Sequence, residues 1–218
     1  MMNKVGILGS GDVGKTLAKA FLETGYEVKL GTRSPEKLES WINQQTGKKE
    51  NVAASSGTFE ETASYGELTV LAVQGAAAEE AVRLAGPRKF SGKLVIDATN
   101  PLDFSKGMPP GQLQAYVERS LGETLQDKLQ DAQVVKSFNT IPHTQMFHPK
   151  PKDAQLLICG NDSSAQEEVT RIAKQFGWSG TKDAGGIESA RYLESLVVLW
   201  VRVAAATQAW DSMFMLVK

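Results

Sequence analysis

Short apolar runs alternate with amphipathic stretches along most of this chain. Residues 5–8, 68–73, 94–98, 133–138 and 155–159 are largely apolar runs of strand length and predict strands, and the more polar 27–31 and a short segment near 180–183 read as strands as well. Between them, helical spacing predicts helices over 13–24, from Ser34 onward, over 76–84, 113–130 and 163–176, and from about residue 188 to the end. In the first helix Val13, Leu17, Ala20 and Phe21 share one face, and Gly25 ends it. Ser34 reads as an N-cap with Pro35 at the first helical position. Residues 100–112, with Pro101, Gly107, Pro109, Pro110 and Gly111, read as a long loop, a length that leans towards function.

Strands that are apolar throughout need cover on both faces, and strand–helix alternation supplies it in a mostly parallel sheet. The fold class is therefore α/β, doubly wound. Ligands of such sheets bind beyond the carboxyl ends of the strands, where the strand order reverses. The sequence concentrates its chemistry at those ends.

Gly9-Ser10-Gly11-Asp12-Val13-Gly14 fits G-x-G-x-x-G, directly after a strand and opening a helix. The first glycine permits the turn, the second lets backbone approach a pyrophosphate, and the third lets helix and strand pack. The helix N-terminus then presents free N–H groups to the phosphates. This is the Rossmann arrangement, and it identifies a dinucleotide as ligand. The second strand ends in Gly31-Thr32-Arg33-Ser34. A site for NAD places a carboxylate there, against the ribose 2′-hydroxyl. Here Arg33 can meet a 2′-phosphate bidentately, with Thr32 and Ser34 hydroxyls beside it and Lys37 a turn away. The expected cofactor is NADP(H).

Three further strand ends converge on the same cleft: Val73-Gln74-Gly75, Asn100-Pro101 after Thr99, and Asn139-Thr140-Ile141-Pro142. They are the candidate residues around the nicotinamide and whatever reacts with it. No catalytic acid or base stands out. No Ser-His-Asp set or Tyr-Lys pair at dehydrogenase spacing is present, and His143 and His148 read as surface-loop residues. Without a proton donor, hydride exchange between two redox cofactors fits best, since positioning then does most of the catalysis. Two other readings stay open. One is NADPH-dependent reduction of a small carbonyl or imine, with His143 or Tyr192 as proton donor. The other is NADPH sensing without catalysis.

Composition narrows the rest. The 218 residues are 41% hydrophobic and 22% charged, enough for a buried core. The expectation is one NADP-binding domain over 1–218, with 186–218 as a helical appendage packed on it or on a partner subunit. A net charge of −1 argues against nucleic acid. The longest apolar stretch, 196–210, is interrupted by Arg202 and falls short of a membrane span, and the apolar run at the start is too short for a signal segment, so a cytoplasmic protein is expected. One cysteine and two histidines provide no disulfide or metal site, and Cys159, inside an apolar strand, reads as inert core. The last helix carries Tyr192, Leu193, Leu196, Val197, Leu199, Trp200, Val203, Trp210, Met213, Phe214, Met215 and Leu216. Such a stripe is core first, and a homodimer interface second.

Taken together, Gly9–Gly14, Gly31-Thr32-Arg33-Ser34, Asn139-Thr140-Ile141-Pro142, Ile158-Cys159-Gly160-Asn161-Asp162, Asp183-Ala184-Gly185 and Arg191-Tyr192-Leu193-Glu194 resemble the coenzyme F420-dependent NADP oxidoreductase family over nearly the whole chain. The resemblance implies NADP(H) on the glycine loop and a deazaflavin ring against the nicotinamide, with Asn139, Thr140, Ile141 and Pro142 lining that second place. Enzymes using F420 carry histidine where this chain has Asn139. Phe138-Asn139-Thr140 and Cys159-Gly160-Asn161-Asp162 look more like the NADPH-binding domain of the STEAP ferric reductases, which pass hydride to a flavin. The resemblance thus implies F420, FMN or FAD as acceptor, or a small organic substrate.

Overall fold

The computed structural model describes residues 2–45, 52–105, 107 and 118–215. Among them eight strands form one sheet: β1 (Lys4–Leu8), β2 (Glu27–Gly31), β3 (Ala54–Gly57), β4 (Leu68–Leu71), β5 (Leu94–Asp97), β6 (Gln133–Ser137), β7 (Gln155–Gly160) and β8 (Gly180–Asp183). The strand order is β3-β2-β1-β4-β5-β6-β7-β8. Neighbours are parallel except β6 and β7, which pair antiparallel. The carboxyl ends of β1 to β6 therefore share one edge, and the order reverses between β1 and β4. This is the Rossmann-type switch point.

Alternate strand residues feed opposite faces. Val5, Ile7, Val28, Leu30, Leu68, Val70, Ile96 and Val135 join one apolar cluster with α1 (Asp12–Glu23) and α6 (Ser163–Gln175). Leu71, Val95 and Val134 join the other, with α4 (Ala78–Ala85) and α5 (Leu121–Lys128). Each fully buried aliphatic side chain stabilises the fold by about 1.5–3 kcal/mol relative to exposure. On the first face Phe21 meets Phe176 edge-on at 4.9 Å, joining α1 to the end of α6.

Several element boundaries differ from expectation. Strand β4 stops at Leu71, so Val73-Gln74-Gly75 is a connecting segment, followed by a 3₁₀ turn over Gly75–Ala77 and then α4. The helix expected over 113–130 begins at Leu121, fixed by a capping box between Ser120 and Glu123; residues 113–117 lie outside the described residues. Ser34 does occupy the N-cap position, but it caps a short 3₁₀ turn (Pro35–Leu38) leading into α2 (Glu39–Gln45), and its hydroxyl makes no cap bond. β3 and α3 (Phe59–Tyr65) have no counterpart in the sequence reading. The last helix, α7 (Ala190–Thr207), ends where Gln208 takes a left-handed φ of 58°. Trp210, Met213, Phe214 and Met215 are thus off the helix; the chain folds back so that Trp200 Nε1 donates to the Ser212 carbonyl at 2.7 Å. Leu216 lies outside the described residues. Among the described residues no helix is long and apolar enough to cross a membrane.

Candidate functional site

The glycine loop leaves β1 at Gly9, whose φ of +129° excludes most side chains. A Cβ on Gly9 would strike the Ala72 carbonyl, and one on Gly14 would strike the Gly9 carbonyl. Both glycines are therefore required by packing within the protein. Gly11 is different. Its φ of −76° and ψ of −171° suit any residue, and a Cβ there would meet nothing within 4 Å. Packing within the protein gives no reason for glycine at this position; a group approaching the backbone from outside does. Gly11 is also the N-cap of α1 and offers no side-chain cap, so the first N–H groups of that helix have no side-chain acceptor. Ser10 is half-buried, and Gly11 and Asp12 are exposed. A pyrophosphate fits this cradle.

The end of β2 is tied down by Thr32 N–H to the Gly57 carbonyl at 3.0 Å, and the Ser34 N–H points at Thr32 Oγ1 at 3.4 Å. Arg33 and Lys37 are exposed, and neither forms an ion pair among the described residues. The first acid beyond the tip is Glu36, on the outside of the turn. Two unpaired cations and an uncommitted serine hydroxyl match the requirements of a 2′-phosphate.

The other three strand ends come together. A Cβ on Gly75 would strike the Asn100 carbonyl and sit 2.7 Å from Pro101 Cα, so the segment after β4 lies directly on the end of β5. Asn100 and Asn139 hold one another: Asn100 Nδ2 donates to the Asn139 carbonyl at 2.7 Å, and Asn139 Nδ2 donates to Asn100 Oδ1 at 3.0 Å. That exchange fixes the orientation of the Asn139 amide and leaves its buried Oδ1 without a partner. Phe138 turns the chain with φ of 62°, and Asn139, Thr140 and Ile141 are buried. Val73 and Asn100 are half-buried and Gln74 is exposed. Side chains of residues 139–142 thus form a wall more than an open surface.

Behind this wall lies a charged group that sequence reasoning missed. Lys136 Nζ, fully buried, bridges Asp97 Oδ2 at 2.9 Å and Glu194 Oε1 at 2.8 Å. Asp97 also accepts from the Thr99 N–H and hydroxyl, and Glu194 from the Leu121 and Gly122 N–H groups that begin α5. Burial works against the Lys136 charge, but the two carboxylates outweigh it and hold the ammonium protonated. Asp97 and Lys136 each stand three residues before one of the paired asparagines, so the network anchors both tips to α5 and α7. The available signal was a lysine inside an apolar strand.

Other candidates fall elsewhere. Cys159 is buried, and burial above all pushes its thiol up to about 12, consistent with an inert core residue. Because β7 runs antiparallel, Gly160-Asn161-Asp162 lies at the opposite edge of the sheet. There Asp162 caps α6 and Asn161 accepts from the Ile187 N–H, so these residues fasten the fold. His143 and His148 are exposed, and among the described residues no cluster is able to hold a metal ion.

Residues 4–101 match the family model described as NADP oxidoreductase, coenzyme F420-dependent. A crystal structure of a candidate F420-dependent NADP reductase from Arthrobacter sp. FB24 superposes with a TM-score of 0.91 at 33% identity, covering 100% of both chains. The F420-dependent NADP reductase of Methanocaldococcus jannaschii is 26% identical over 204 residues, 91% of each chain. Metalloreductase STEAP3 of Rattus norvegicus is 30% identical over 88% of this chain, which spans 36% of that relative's length.

Proposed function

Since this chain belongs to the coenzyme F420-dependent NADP oxidoreductase family and is an NADP-dependent oxidoreductase, we propose that it exchanges hydride between NADP(H) and a flavin or deazaflavin ring held in the same cleft. F420, FMN and FAD are the acceptor classes concerned. Gly9 to Gly14 would cradle the pyrophosphate. Thr32, Arg33, Ser34 and Lys37 would hold the 2′-phosphate. Val73, Gln74, Gly75, Asn100 and Pro101 would line the nicotinamide. Asn139, Thr140, Ile141 and Pro142 would back the second ring. When bound, the nicotinamide supplies or takes up the hydride.

The observation carrying this reading is the pairing of the Asn100 and Asn139 amides at the nicotinamide end, where none of the assigned residues is titratable and His143, one residue beyond Pro142, is exposed. The paired amides of Asn100 and Asn139 orient, and they neither give nor take a proton. A ring that manages its own proton suits such a site; a carbonyl or imine needs a donor. The protein's part is then alignment and exclusion of water, and the Asp97–Lys136–Glu194 anchor keeps the two asparagine tips in register.

We read 1–218 as one NADP-binding unit. Tyr192, Leu199 and Val203 share one exposed side of α7 and supply the surface for a second copy of the chain. Mixing NADPH with FMN, FAD, F420 and a panel of small ketones and imines tests the acceptor. Turnover confined to the ring acceptors is expected; turnover confined to the carbonyl and imine panel would overturn the reading.

A further inference from the structure

Beside the assembled tips lies a cleft of about 250 Å³, lined by Asp12, Lys15, Thr16 and Lys19 of α1, Trp41 and Gln45 of α2, and His143. Its two ends are informative. Asp12 belongs to the glycine loop. His143 directly follows Pro142, the last residue of the wall assigned to the second ring, and the 3₁₀ turn that His143 begins packs against α1. The cleft therefore opens between the two assigned positions and runs away from them along α1.

Its lining is cationic along that run. Lys15 is half-buried and forms no ion pair among the described residues. Lys19 pairs only loosely with Glu23, at 3.6 Å with both side chains exposed. Asp12 is the acid of the lining, at the loop end. Trp41 is half-buried and provides a flat apolar side, while Thr16 contributes a hydroxyl. The dinucleotide's own phosphates account for Lys15 at most, one turn beyond Gly11, and leave Lys19 without a phosphate. Lys19 stands eight residues beyond Gly11, about 12 Å further along the helix at 1.5 Å per residue. The 2′-phosphate, for its part, is assigned to the end of β2.

From this arrangement the geometry points to a pocket for an anionic chain, phosphate or carboxylate, carried by the ring that exchanges hydride, with Lys15 and Lys19 as its partners. The inference rests on the reading above that the ring sits against Asn139 to Pro142. A neutral chain would cover the ammonium groups and return nothing. An anionic chain pairs with both, while its carbon stem lies along Trp41. The pocket thus selects a ring bearing a charged tail over the bare ring.

Equilibrium dialysis tests this with no hydride moving: oxidised FMN against riboflavin, each with saturating NADP⁺. The comparison is repeated with 5-deazariboflavin and its 5′-phosphate, and a parallel arm adds a carboxylate-tailed ring to separate the two anion types. The tailed ring of each pair is expected to bind about tenfold tighter at low ionic strength, as two half-exposed ion pairs allow. High salt and the variant Lys15→Ala/Lys19→Ala are each expected to shrink the preference below about twofold by removing those pairs, with NADP⁺ affinity retained. Equal binding of tailed and bare rings would overturn the pocket alone. So would a preference that survives in the double variant, or a parallel loss of NADP⁺ affinity, which would give the cleft to the dinucleotide. Failure of every ring to bind or turn over would instead refute the acceptor reading, and this inference with it.

Discussion

Gly11→Ala separates ligand contact from folding more cleanly than any other single change in the glycine loop. The new methyl group meets no atom within 4 Å, and the backbone is already in a region open to alanine. As an N-cap, alanine is poorer than glycine by about 0.5–1 kcal/mol. Against that, alanine restricts the unfolded chain and regains about 0.4–1 kcal/mol. The two nearly cancel, so the thermal midpoint should stay within about 2 °C in a chain of this size. Binding should not be spared. The methyl group would hold the pyrophosphate off the helix N-terminus and weaken at least one charge-assisted N–H contact, a loss of about 1.5–3 kcal/mol. That raises the NADPH Kd roughly 10- to 150-fold. Gly14→Ala should behave in the opposite way: its methyl group strikes the Gly9 carbonyl, and overpacking of that kind costs about 1–3 kcal/mol of stability. Calorimetric titration of NADPH with a parallel melting curve measures both quantities. A folded Gly11→Ala protein that binds NADPH like the parent would refute the placement of the phosphates.

Two other predictions concern cation–anion pairs. Arg33→Ala should raise the NADPH Kd about 10- to 150-fold through loss of the charge-assisted contact while leaving NADH nearly unchanged, and equal losses for both would remove Arg33 from the 2′-phosphate. The Arg191 guanidinium, donating to Glu123 at 2.6 and 2.7 Å, holds that carboxyl down near 2, with Ser120 assisting and burial opposing. Because the folded value lies below the ordinary 4.5, this pair stabilises the fold above that pH, and its contribution fades as pH falls towards 2. Melting curves against pH should show Arg191→Met less stable than the parent at neutral pH, with the two converging in acid; a constant gap would contradict the assignment.

The parts of the site legible in the sequence were those encoded over a few neighbouring residues. Gly9 to Gly14 and Thr32 to Ser34 carry their chemistry in a local pattern, and both stand at the expected strand ends. Elements held by tertiary contacts were not legible. Ala54-Ser55-Ser56-Gly57 has no β-branched or aromatic residue, and it is a strand because it pairs with Val28 to Gly31 at the sheet edge. The end of α7 at Gln208 is marked by neither glycine nor proline. Asp97, Lys136 and Glu194 lie far apart in the chain, so no window of sequence reveals that they share one buried cluster. The reversal of β7 against β6 is likewise invisible to periodicity, yet it moves Gly160 to Asp162 away from the cleft.

Direct hydride exchange between the two bound rings is tested most directly by an anaerobic single turnover with NADPH deuterated at the transferring position and a 5-deazaflavin acceptor, whose reduced C5 keeps the label. The expected result is deuterium on the deazaflavin carbon, with NADPH consumed and ring reduced in equal amounts. Label appearing in water, or NADPH consumed without ring reduction, would contradict it.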